Sequence, residues 1–201
     1  EPSPYDSGLH STNTTTDTET AHVLLNREAV AMPVAWEPTR IDGLNETRLT
    51  LSAERGVHPD EPVPAGSTYT FDRYRHDIDP EGLQTAWGTP PRSIQRQYTQ
   101  VPDTIPARVE ERGEAITADA ETSYETVLAI TDWIEANRAY DRSATHDDGD
   151  PIDAFLFEME AGNAEYMASS TTILLRLEGI PARYVTGYAP GAASADTDDT
   201  Y

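Results

Sequence analysis

The sequence contains neither cysteine nor lysine. Without cysteine there is no disulfide and no thiolate metal site, so stability has to come from a buried core. Without lysine, arginine is the sole strong cation: all 14 basic residues are Arg, against 36 Asp and Glu, for a net charge of −22. Long apolar runs are missing too. The longest, residues 29–36, is broken by Pro33 and falls well short of the roughly 18 residues that a membrane helix requires.

Each absence narrows the function. A strongly negative field repels phosphate backbones and anionic membrane surfaces, which argues against nucleic acid as a partner. In dilute buffer, −22 on 22.1 kDa is a self-repelling surface. In molar salt the Debye length shrinks to about 3 Å and that repulsion is screened. Excess acid with no lysine therefore reads as adaptation to high salt. Glu1 is not a natural start, so an upstream segment is expected to have been removed.

What is present is a polar chain with enough apolar residues to fold: 37 % are hydrophobic and the mean hydropathy is −0.60. Its 201 residues suit one medium domain or two small ones. Residues 1–20 are Ser, Thr, Pro and acid with almost nothing to bury, and read as a disordered linker. Asn13-Thr14-Thr15 and Asn45-Glu46-Thr47 are glycosylation sequons, relevant only outside the cytoplasm. Residues 21–103 predict a β-rich domain. Arg48–Ser52 and Thr68–Asp72 alternate at period two, and Pro59, Pro62, Pro64 and Gly66 mark the connection between them.

Near Pro102 the pattern turns helical. Thr104 with Pro106 predicts a helix start, with Val109 and Ile116 on one face. Thr122 and Glu125 have capping-box spacing, followed by a stripe of Val127, Leu128, Ile130, Trp133 and Ile134. Asp150-Pro151 opens a short helix that buries Phe155, Leu156 and Phe157. Gly162 permits a sharp turn and Asn163 suits an N-cap, so a helix is expected from Ala164 to about Glu178, ended by Gly179 and Pro181. Ala182–Tyr188, rich in aromatic and β-branched residues, predicts a strand. Residue 164 then sits at the positive end of a helix, where a cysteine has a lowered pKa and is a competent nucleophile. Alanine has no such chemistry.

Three linked motifs carry a resemblance. They are Asp150-Pro151-Ile152-Asp153-Ala154-Phe155-Leu156-Phe157-Glu158, then Gly162-Asn163-Ala164-Glu165-Tyr166-Met167-Ala168-Ser169, then Gly179-Ile180-Pro181-Ala182-Arg183-Tyr184-Val185-Thr186-Gly187-Tyr188. Together they resemble the transglutaminase core of the transglutaminase-like, papain-like thiol enzymes. The likeness is greatest to the branch found in bacterial and archaeal membrane proteins, and the composition is of haloarchaeal type. The resemblance implies an α+β fold, with residues 104–201 as a C-terminally incomplete core behind the β-rich segment. It also implies a Cys-His-Asp triad acting on protein or peptide amides, by acyl transfer or hydrolysis, with no cofactor. The location it implies is the extracellular face of the membrane, as part of a larger membrane-anchored protein.

Two departures stand out. Ala164 occupies the position of the nucleophilic cysteine, and Tyr201 comes before the strands that carry the family's His and Asp. The chain as given is therefore expected to be inactive. Asn163, Glu165 and Tyr166 are the expected cleft-lining neighbours, with Glu165 and Tyr166 open between lining the cleft and supporting its wall. His146 beside Asp147, Asp148 and Asp150 reads as a solvated loop, and these acids lack the ligand spacing of a calcium loop, so no metal is expected. Met167, Leu174 and Leu175 read as core, and Arg183 as the partner of an acid. Two further functions compete with the enzyme: a non-catalytic module that binds peptide or scaffolds a complex, and a strand-rich spacer. On the enzyme reading Ala164 is an introduced replacement; on the module reading it is natural loss.

Overall fold

The computed structural model describes residues 17–35, 38–44, 47–52, 56–75, 79–85 and 89–187. The asparagines of both sequons and Tyr188 lie outside them. The chain divides into two compact units, one before Asp79 and one from Asp79 to Thr186, with Gly187 grouped with the first.

In the first unit, β1 (Asp17–Leu24), β5 (Thr68–Arg75) and β2 (Pro38–Asp42) form an antiparallel sheet in the order β1-β5-β2. The short strands β3 (Leu49–Leu51) and β4 (Val57–Pro59) pair separately. Period-two reading holds well here. Tyr69 and Phe71 are buried and alternate with Thr68, Thr70 and Asp72, which keep contact with solvent. Ala21 and Ile41 lie opposite Phe71, and Val23 lies opposite Tyr69, which aligns the apolar face across three strands. Burying each aromatic ring contributes about 1.5–3 kcal/mol.

Apart from Val57 of β4, the rest of the buried core comes from outside the named strands. Leu25, Ala29, Met32 and Val63 are buried with the rings. Backbone bonds hold them: Leu25 N–H to Ser67 C=O (3.0 Å), Ala29 reciprocally with Val63 (2.9 Å each way) and Met32 N–H to Val57 C=O (2.8 Å). Asp17–Thr20, expected as linker, are instead the first half of β1, because β5 supplies a full partner for their backbone.

The second unit is mainly helical: α1 (Pro80–Gln84), α2 (Arg92–Tyr98), α3 (Ala107–Thr117), α4 (Ser123–Asn137), α5 (Pro151–Phe157) and α6 (Ala164–Leu177). Helices thus begin near residue 80, inside the stretch expected to stay β-rich to 103. The overlooked signal was Asp79-Pro80, an N-cap followed by proline; the Asp79 carboxylate accepts from Glu81 N–H at 3.2 Å. Pro106, not Thr104, precedes the first residue of α3. The Thr122–Glu125 capping box forms in both directions, at 3.1 Å each.

Val109, Ile130, Ile134, Ile152, Phe155, Leu156, Leu174 and Leu175 make the core of this unit, with Trp133, Tyr166 and Met167 packed against it. Gly113 lets α3 approach α6. A Cβ there would stand 3.0 Å from the Glu178 carboxylate and 3.4 Å from Leu174. The usual helix-interior cost of glycine, about 0.5–1 kcal/mol, is offset by that close approach.

Candidate functional site

The helix start at residue 164 is assembled by local rules. β6 (Ala139–Tyr140) and β7 (Ala161–Gly162) pair in parallel, and Asp141 N–H donates to Gly162 C=O at 3.0 Å. That pairing delivers the chain to Asn163. Glycine is needed at 162, though not for a turn: a Cβ there would lie 2.4 Å from the Phe155 ring. Close packing, not left-handed backbone, excludes a side chain at this point.

Asn163 caps α6 as expected. Its carboxamide oxygen accepts from Glu165 N–H at 2.9 Å and Tyr166 N–H at 3.2 Å. Two N–H groups of the first turn are therefore already satisfied by the cap. The Asn163 amide donates to Ala144 C=O at 3.4 Å, which ties the loop after β6 to the helix start. Ala164 is the first residue of α6 and is exposed, as is Glu165. Tyr166 is half-buried and stacks on Phe155, with ring centroids 6.0 Å apart and planes 21° apart.

The far end of α6 is a Schellman motif. Gly179, at φ 75°, donates to Arg176 C=O at 3.0 Å, and Ile180 N–H donates to Leu175 C=O at 2.9 Å. Arg176 reaches back to Ala182 C=O and to Gln100 C=O, each at 2.9 Å. Ala182 N–H donates to Tyr98 C=O at 3.0 Å. These bonds explain a correction: residues 182–187, expected as a strand, form none among the described residues. Ala182 spends both backbone groups on helical elements, and a strand needs a neighbour to exchange ladder bonds with.

The other singled-out residues fall as follows. Asp150 caps α5, accepting from Ile152 N–H at 2.9 Å and Asp153 N–H at 3.0 Å, so its carboxylate is committed. Asp147 and Asp148 are exposed. No group of three or more His, Asp or Glu placed to hold a metal ion occurs among the described residues. His146 differs from its solvated reading: its Nε2 is buried and has no partner among the described residues, as is true of Ser170 Oγ. Met167, Leu174 and Leu175 pack as core.

Sequence reasoning missed one charged cluster. Asp153 takes a forked contact from Arg108, whose Nε lies 2.6 Å from Asp153 Oδ1, and Glu158 adds a third bond at 3.1 Å. Arg108 holds the Asp153 carboxyl below the usual carboxylate range, against the opposing effect of burial. The partners are 45 residues apart, and no local pattern marks them.

Comparison with known proteins places this geometry. Residues 110–201 match the transglutaminase-like superfamily (Transglut_core). The uncharacterized protein YebA of Bacillus subtilis (strain 168) is 35 % identical over 99 residues, 47 % of this chain and 13 % of its own. The crystal structure of the periplasmic domain of TgpA from Pseudomonas aeruginosa superposes with a TM-score of 0.64 at 19 % identity, over 89 % of this chain and 58 % of that one. A candidate cysteine protease from Cytophaga hutchinsonii matches with a TM-score of 0.50 at 17 % identity, over 82 % of this chain and 62 % of that one. The chain thus spans about an eighth of the length of YebA and less than two thirds of either solved structure.

Proposed function

Because this chain carries, in residues 110–201, a core of the transglutaminase-like superfamily, we propose that it is part of an extracytoplasmic thiol enzyme acting on protein or peptide amides. Position 164 is the nucleophile position of that enzyme. A thiolate there attacks the amide carbonyl, the amine leaves with a proton from a histidine, and water or a second amine resolves the acyl-enzyme. An aspartate orients the histidine, and the backbone N–H of residue 164, which the Asn163 cap does not engage, helps to hold the oxyanion. Ala164 has only a methyl group to present, so the chain as it stands lacks this activity.

The observation that carries the proposal is the exposed first residue of an Asn163-capped helix, lying inside the matched core. The periplasmic origin of the TgpA domain supports an extracytoplasmic location. Among the described residues no helix is long and apolar enough to cross a membrane, so anchoring is assigned to other segments.

The test is Ala164→Cys in a protein that includes the strands expected to carry the family's His and Asp; the same change in the present chain should gain less. At pH 7 the thiol of the longer protein should react with iodoacetamide several-fold faster than free cysteine, whose pKa is about 8.5. A rate no higher than that of free cysteine would count against the enzyme. Ala164 itself favours the second reading, a non-catalytic module that binds peptide, and that result would leave it as the better account.

The charge pattern supports a salt-adapted protein. The thermal unfolding midpoint should rise from dilute buffer to molar KCl, and a level or falling midpoint refutes that reading.

A further inference from the structure

The helical unit carries a run of arginines against aromatic rings, and its cations are not equally neutralised. Arg108 lies 4.6 Å from the Phe157 ring centroid and holds both Asp153 and Glu158. Arg112, one turn further along α3, lies 5.2 Å from the Phe157 centroid and 5.3 Å from that of Trp133. Arg138 lies 5.2 Å from the same Trp133 centroid. Its N–H groups go to the carbonyls of Asn137, Phe155 and Leu156, which satisfy donors without cancelling the charge.

Arg112 is different from both neighbours. It is half-buried and has neither a hydrogen-bond acceptor nor an acid partner among the described residues. A ring face attracts a cation but does not accept its N–H hydrogens as a carboxylate does. The guanidinium therefore keeps a set of unspent donors in a fixed plane. Two positive charges, Arg112 and Arg138, also face one indole with no ion pair to either among the described residues, in a protein where acids outnumber arginines 36 to 14. Their mutual repulsion is felt at Arg138, whose pKa is lowered first by burial and then by Arg112.

We propose that Arg112, seated against Trp133 and Phe157 with Arg138 beside it, is a binding site for a carboxylate. The planar guanidinium fork matches two carboxylate oxygens, and Arg138, with N–H groups already on backbone carbonyls, adds attraction without competing for those oxygens. At ionic strengths where the field of the net charge of −22 is not screened, it repels a doubly charged phosphate or sulfate more strongly than a monovalent carboxylate. The carboxylate comes from a free organic acid or from an acidic peptide, and the experiment separates the two. The site is independent of the proposed chemistry at position 164, so either can fail alone.

The test follows the Arg112 Nε–Hε resonance in 15N-labelled protein while sodium acetate is added at constant ionic strength, balanced with NaCl. A saturable shift is expected with acetate, with a smaller response to sulfate. A blocked tripeptide with one Asp side chain forms the second arm; tighter saturation than with acetate assigns the site to peptide. Acetate should also raise the unfolding midpoint, and that rise should vanish in Arg112→Gln and persist in part in Arg112→Lys. If Arg112→Gln does not fold, the resonance of the unsubstituted protein decides. A non-saturating shift equal in NaCl and acetate, or a larger response to sulfate, overturns the proposal.

Discussion

The two units of this chain bury cores of similar size by different means. In the helical unit α4, α5 and α6 start on side-chain caps close by in sequence, Thr122, Asp150 and Asn163, and Gly179 ends α6. In the strand unit the core residues Leu25, Ala29, Met32 and Val63 sit outside the main sheet, held by backbone bonds to distant partners. Local signals therefore carry the helical unit, and non-local pairing carries the strand unit. The same difference predicts how each responds to substitution.

The largest effect tests the cores. Phe155 is fully buried, and Gly162 and Tyr166 close against it. Phe155→Ala should cost about 3–5 kcal/mol in denaturant unfolding. Phe71, buried on one face of a three-stranded sheet and 7 % exposed, should cost the same or less when changed to Ala. A clearly larger loss for Phe71→Ala would reverse the ranking and make the strand unit the tighter packed.

A smaller effect tests the local signals. Asn163→Ala removes the acceptor for two N–H groups of α6 and should cost about 1 kcal/mol. In the strand unit, Thr20 Oγ1 donates to Asp72 at 2.6 Å across an exposed pair. Thr20→Ala should change stability by no more than about 0.5 kcal/mol. Equal losses at the two positions would break the contrast between capped helices and exposed cross-strand contacts.

The finest test is a slope in pH. Asp153 has a depressed folded-state pKa because Arg108 donates to it. Its contribution is present above the unfolded value of about 3.9 and is lost as pH falls through the folded value. Asp153→Asn should flatten the acid limb of a stability–pH curve below about pH 4 and leave its shape near neutrality unchanged. An acid limb identical in the two proteins would show that Arg108 and Asp153 are not coupled in solution.

Legibility followed the range of the interaction. The cap at Asn163, the stop at Gly179 and the capping box at Thr122 were readable because each signal lies within about four residues of its effect. The alternation of Thr68–Asp72 was readable because a half-buried strand imposes it on every residue. Asp17–Thr20 were misread because a polar edge strand looks like linker until its partner is known. Residues 182–187 were misread in the opposite sense: Ala182 binds both its backbone groups to helical elements, and residues 182–187 pair with no strand among the described residues.

Within the candidate site the division is similar. The three linked motifs placed residue 164 at a helix start and named, from sequence alone, the superfamily that residues 110–201 match. The glycine at 162 was also noted, yet its reason was only visible once Phe155 stood against it. The pairing of Arg108 with Asp153, and the lack of a partner among the described residues for His146 Nε2 and the Arg112 charge, had no signature along the chain. Caps, periodicity and termination depend on neighbours a turn or a residue away, so the sequence by itself determined them. Which charge meets which, and which is left without a partner, depends on contacts tens of residues apart, and only the tertiary structure decided that.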